Sequence, residues 1–217
     1  MSTLSFLVRG RSVDLVAMTA FNTFKNTLGL GDEIVGLLRD DLFAIEGIDE
    51  SAAETWVAAC QAQQHWFNPN KHRYAAFLAT DGAVACVRDD GSWPEPWLQS
   101  MVSSDRPDLE SADVEDPRRA WIGVRPTTGA YAVPVVAWDR EEGAGSLPGG
   151  DWPDGSLARI RGVVWTLVLR ADRPEEASAR AEGLVSTRAR RQGLLVHPHM
   201  EGWTAWGAPL AELDPVS

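Results

Sequence analysis

Two stretches of the chain stop a helix in the same way, and together they constrain the fold more than any other feature. One runs Trp66-Phe67-Asn68-Pro69-Asn70-Lys71-His72-Arg73-Tyr74, the other Leu195-Val196-His197-Pro198-His199-Met200-Glu201-Gly202-Trp203. Each has an apolar pair, a polar residue and a proline, then, five residues on, an aromatic that opens a strand. Pro69 and Pro198 cannot continue a helix, and each pushes its predecessor out of the helical region. The matching order predicts one folding unit used twice, with Pro69 over Pro198 and Tyr74 over Trp203.

Hydrophobic spacing fills in the rest of each unit. Leu4 to Arg9 reads as a strand. Val13, Ala17, Ala20, Phe21, Phe24 and Leu28 recur at helical spacing, with Asp14 at the positive end of the helix dipole and Gly29 at the stop. Glu33 to Leu38 and Leu42 to Glu46 are two apolar runs around Arg39-Asp40-Asp41, which predicts a hairpin. A helix from about Asp49 to Trp66 and a strand from Tyr74 to Leu78 complete a β-α-β-β-α-β order over residues 1–80. Residues 81–217 give the same order, with strands at 83–88, 121–124, 130–138, 163–169 and 201–206 and a helix from Asp172 to about Gln192. Two insertions decorate this half. One is an acidic, Pro-containing stretch at 103–119, after a short helix at 94–102; the other is the Gly-rich stretch at 139–158. The predicted fold is α+β: two tandem ferredoxin-like units, residues 1–80 and 81–217, packed face to face as an intrachain pseudo-dimer.

Charge and composition bound the function. A net charge of −11 opposes non-specific nucleic-acid binding, which needs clustered Lys and Arg. No apolar run approaches the roughly 18 residues of a membrane span, and Met1 to Phe6 is not a secretory signal, so the expected compartment is the cytoplasm. Cys60 and Cys86 are the only cysteines and are expected to be buried, reduced thiols. Of the ten tryptophans, Trp93, Trp97 and Trp152 lie among Pro and Gly, and these three are the candidates for a contact surface.

The first 80 residues resemble the small subunit of phosphoribosylformylglycinamidine synthase, the purine-pathway amidotransferase. The resemblance lies in Arg11-Ser12-Val13-Asp14-Leu15-Val16-Ala17, where that family has a short Asp-Pro segment leading into a helix. It lies also in the turn Trp66-Phe67-Asn68-Pro69-Asn70 before Tyr74, with Asn68 the best single match. Leu15 stands where the family has proline, and Lys71-His72-Arg73 is basic where the family tends to be acidic. The resemblance implies a non-catalytic subunit that bridges a synthetase and a glutaminase.

No catalytic motif is present: no Gly-x-Ser-x-Gly, no His-Glu-x-x-His, and no P-loop lysine in the glycine-rich stretch. His197 and His199 resemble a metal-binding pair but lack a spaced third ligand, and a turn role explains both this segment and Asn68-Pro69-Asn70. The expectation is therefore no metal, no cofactor and no catalytic residue. Asn68, Asn70, Lys71, His72 and Arg73, with His197 and His199, form the candidate ligand-binding set, suited to a phosphate or carboxylate. Function is expected to be accessory, through binding a protein partner. The alternative is an enzyme or sensor for a small anion, with a pocket between the two repeats.

Overall fold

In this computed structural model the residues described are 2–64, 66–80, 83–89, 130–139, 144–146, 152–153, 158–185, 195–196 and 201–205. β1 (Ser2–Gly10) leads into α1 (Leu15–Asn22), which widens into a π-helical turn, Thr23–Thr27. β2 (Ile34–Ile48), α2 (Ala53–Gln63), β3 (His72–Thr80) and β4 (Ala83–Asp89) follow. Then come β5 (Ala130–Asp139), β6 (Ala144–Ser146), β7 (Ala158–Arg170), α3 (Pro174–Val185) and β8 (Glu201–Ala205). The fold is α+β. All eight strands join one antiparallel sheet of order β4-β3-β1-β2-β7-β5-β8, with β6 paired to β7.

β2 corrects the expected hairpin. It is a single strand of 15 residues that runs straight through Arg39-Asp40-Asp41. Three consecutive charges read as a turn, but alternation sends Asp40 to one face of the sheet and Arg39 and Asp41 to the other. Each charge has a partner there. Asp40, fully buried, takes a forked pair of hydrogen bonds from Arg9 on β1, Nε to Oδ1 at 2.6 Å and Nη2 to Oδ2 at 2.5 Å. On the opposite face Arg39 donates to Asp41 at 2.6 Å. Residues 1–80 thus run β-α-β-α-β, not β-α-β-β-α-β.

The unbroken β2 also corrects the expected face-to-face packing. Its outer edge pairs with the long strand β7 from Ile34↔Leu169 to Ile45↔Arg159, so the halves join edge to edge. The registers are palindromic about this seam. Val8 lies between Asp41 and Tyr74, Ala137 lies between Val163 and Trp203, and Asp41 lies beside Val163. The row Tyr74-Val8-Asp41-Val163-Ala137-Trp203 therefore reads alike from both ends, with a pseudo-two-fold axis through Asp41 and Val163. Tyr74 corresponds to Trp203, the match the two proline stretches lead to. Pro198 itself, His65, His197, His199, Trp93, Trp97, the segments 94–102, 103–119 and 121–124, and most of 139–158 lie outside the described residues.

The helices share one face of the sheet. Ala17 and Phe24, from α1 and the turn after it, and Ala177, Ala181 and Val185 of α3 pack with Leu37, Val135, Trp165 and Leu167. Trp56, Val57 and Cys60 of α2 pack with Phe6, Phe43, Ile45, Phe67 and Tyr74. The other face holds Leu7, Leu42, Ala44, Phe77, Val136 and Val164, which are buried as well. Pro134 lies within β5, opposite Thr166 of β7.

Two measurements check this arrangement. Breaking a buried pair strands the surviving charge, so Asp40→Ala is expected to cost about 3–5 kcal/mol in urea denaturation. Replacing Arg9 and Asp40 together by apolar residues of similar size should cost less. The thiols also separate, against the expectation that both are buried. Cys60 lies inside α2's packed face, and burial pushes its thiol up to about 12, whereas Cys86 is exposed on the edge strand β4. At pH 8 a native-state disulfide-exchange assay should titrate one thiol quickly and the second only on unfolding, with Cys86→Ser removing the fast phase.

Candidate functional site

The Asn68 turn is built by its own hydrogen bonds. The Asn68 carbonyl accepts from the amides of Lys71 and His72 at 2.9 and 2.8 Å, and its side-chain oxygen accepts from the Asn70 amide at 2.9 Å. The Asn68 amide in turn donates to His72 Nδ1 at 3.1 Å. Arg11, entering from the β1–α1 loop, donates its amide to the Lys71 carbonyl at 2.7 Å and its Nε to the carbonyls of Pro69 and His72. Asn68 and His72 thus serve the turn itself, and Asn70 and Lys71 are exposed.

These residues do not all converge. Strand alternation places His72 and Tyr74 on the helical face but Arg73 on the other, directly across from Arg9 in the β1·β3 ladder. Arg73 thus belongs beside the Arg9–Asp40 pair, away from Lys71 and His72. His197 and His199 lie outside the described residues, and among the described residues no group of three His, Cys, Asp or Glu side chains can hold a metal ion. Trp152 is half-buried. Its ring lies between Trp56, at 6.0 Å between centroids, and Trp66, at 5.7 Å, and Trp66 stacks on Phe43 at 5.4 Å. It extends the α2 packing and is not a freely exposed contact.

A second polar cluster lies on the helical face at the pseudo-two-fold axis, between the two apolar clusters. Asp14 caps α1, its Oδ1 accepting from the amides of Val16 and Ala17 at 2.9 and 3.0 Å. Its Oδ2 lies 3.5 Å from Arg39 Nη1, so Arg39 links the start of α1 to Asp41. The Arg39 guanidinium stands over the Trp165 ring at 6.0 Å, and that of Arg161 over the Phe43 ring at 5.9 Å. The register makes these two contacts equivalent, since Arg39 lies opposite Trp165 and Phe43 opposite Arg161 on either side of Asp41↔Val163.

Burial raises the Asp41 carboxyl above its ordinary value. Arg39 opposes the shift, the neighbouring Asp40 and Asp14 add to it, and Arg161 opposes it again. None of this cluster was among the sequence candidates, and Asp14 was expected only as a charge at the start of α1. The available signal was the repeated spacing Arg39-x-x-x-Phe43 and Arg161-x-x-x-Trp165, which reading 39–41 as a turn concealed.

Beside the cluster, α1 is apolar on both faces. Val13, Leu15, Val16 and Met18 are the exposed large apolar side chains among the described residues, at 47, 64, 57 and 38%. No described helix is long and apolar enough to cross a membrane. Comparison of the chain with protein families, curated proteins and solved structures finds no match.

Asp41 makes stability depend on pH with a definite sign. With its folded-state value raised, the native state holds the proton more tightly than the unfolded chain. The Asp41 contribution is thus fully present below the ordinary value of 3.8 and is lost as pH rises from there through the raised value. Asp41→Asn cannot ionise and should gain on wild type across that window, read as urea midpoints from pH 3.5 upward. The opposite trend would show that attraction to Arg39 outweighs burial.

Proposed function

We propose that the protein is a non-catalytic accessory protein that works by binding another protein, in the manner of an amidotransferase small subunit. The observation that carries this reading is the outer face of α1. Four large apolar side chains stand exposed within six consecutive positions, 13–18, although the inner face of the same helix already fills the core. A contiguous exposed apolar patch of this kind marks an interaction surface. Arg11 and Lys71, exposed and joined through their backbones, give the patch a basic rim in an acidic chain.

The palindromic registers support reading the chain as a tandem pair of units that makes a pseudo-dimer within itself, although β2 departs from the ferredoxin-like order. The alternative, a small-anion enzyme using the proline turns, draws less support, because Asn68 and His72 are engaged in holding their own turn.

The test places charge on the α1 patch. Leu15→Glu and Val16→Glu fall in the first helical turn, where an acid suits the dipole, so folding should be retained within about 0.5 kcal/mol. A complex isolated from native extract and rebuilt from purified components should lose at least tenfold in affinity with either variant. Turnover of a metabolite mixture by purified protein, abolished by His72→Ala, would overturn the reading in favour of the enzyme.

A further inference from the structure

The pseudo-two-fold axis pairs two arginines whose surroundings differ in one respect. Arg39 and Arg161 correspond across the axis, and each lays its guanidinium over an aromatic ring of the opposite half. A cation–π contact of this kind leaves guanidinium N–H donors free to point elsewhere. Two residues along β2 from Arg39 stands Asp41, on the same face, and its carboxylate fills that edge at 2.6 Å. Two residues along β7 from Arg161 stands Val163, half-buried against the α1–α3 cluster. The carboxylate that one arginine has in its own strand, the other lacks.

Arg161 is exposed and forms no salt bridge among the described residues, although its charge acts on Asp41 across the seam. Its position is nevertheless held. Its guanidinium carbon lies 5.9 Å from the centre of the Phe43 ring, and Phe43, 7% exposed, stacks on Trp66 with the ring planes 5° apart. An arginine held this way loses little rotamer freedom when it takes a ligand, which favours binding. It lies on the same face of the sheet as α1, and Arg39 connects the axis to the α1 cap through Asp14.

We propose that the edge of Arg161 takes a carboxylate side chain of the protein partner, in the place that Asp41 fills at Arg39. The inference rests on the reading of this chain as a binding protein and names the partner's chemistry: an acidic residue flanked by apolar ones, the latter for Leu15, Val16 and Met18. The carboxylate oxygens accept two parallel hydrogen bonds from the guanidinium edge, a geometry that Lys cannot reproduce.

The test uses the full chain and a fluorescein-labelled peptide of alternating Leu and Glu as probe, read by anisotropy at constant salt. Wild type should bind it, and bind a Leu–Gln peptide of the same length at least tenfold more weakly. Arg161→Gln should lose tenfold or more, and Arg161→Lys should recover only part. Val163→Asp supplies the missing acid within the strand and should block the peptide as fully as Arg161→Gln does. Unchanged melting temperatures keep these effects apart from misfolding. Failure of wild type to bind, equal binding by Arg161→Gln, or equal binding of the Leu–Gln peptide would overturn the proposal. Succinate binding at Arg161 as tightly as the peptide would overturn the protein source of the carboxylate. If the α1 variants lose the native complex while Arg161→Gln and Val163→Asp leave both it and the peptide untouched, this inference fails and the binding reading stands.

Discussion

The Arg9–Asp40 pair is the constraint on which the architecture turns. Asp40 sits in the middle of the longest strand, with no exposure at all. Without a partner a carboxylate there would force the strand to break or the group to reach solvent. The forked bond from Arg9 removes that pressure, and β2 continues through three charged residues without a turn. A long β2 then offers a long edge, β7 fills it, and the halves become one sheet. Such a pair adds little net stability over an apolar pair of similar volume, so its value here lies in specifying which strand β2 becomes.

The two halves meet the same geometric demand with different chemistry. By the palindromic registers Arg9 corresponds to Trp138, Asp40 to Gly162 and Arg73 to Gly202. Where the first half holds an arginine between a carboxylate and a second arginine, the other holds an indole between two glycines. Those glycines are required. A Cβ on Gly202 would lie 2.6 Å from the Trp138 ring, and one on Gly162 would lie 2.5 Å from the Ala137 carbonyl oxygen. A large flat ring with cleared neighbours and a long charged chain with a fixed partner occupy comparable places in the sheet.

The two proline stretches stand out in the sequence because proline punctuation is local. Pro69 and Pro198 act on their own residues whatever packs around them, and Phe67 and Val196, which precede those turns by two residues, are buried as the pattern requires. Among the described residues most strand and helix positions outside 39–41 were legible from periodicity, but β6 and the start of β7 fall in or just beyond the stretch at 139–158 that reads as a loop insertion. The hairpin was misread because turn propensity is local whereas the partner of Asp40 is contributed by Arg9, 31 residues away. The site at the axis was hidden for a related reason. Arg39 and Trp165 share no local signal, and only the β2·β7 register brings them together. The proline-turn residues were legible as a cluster in sequence, but strand alternation separates Arg73 from His72, a consequence of pleating that a list of charged residues does not convey.

The charge balance orders the events of binding on the proposed reading. A chain of net charge −11 repels an acidic partner at long range, so a single arginine cannot draw one in. Beyond about 8 Å at physiological salt that repulsion is screened, and exposed apolar surface then governs whether an encounter lasts. The α1 patch supplies such surface, and it lies on the face of the sheet that also carries the axis. Once water is displaced around the patch, the guanidinium of Arg161 acts at short range and in low dielectric, where its orientation discriminates strongly. Affinity on this account comes from Leu15, Val16 and Met18, and register from Arg161. Valine at 163, opposite Asp41 in the seam, leaves Arg161 without an acid in its own strand of the kind Arg39 has, and this distinguishes one side of the surface from the other.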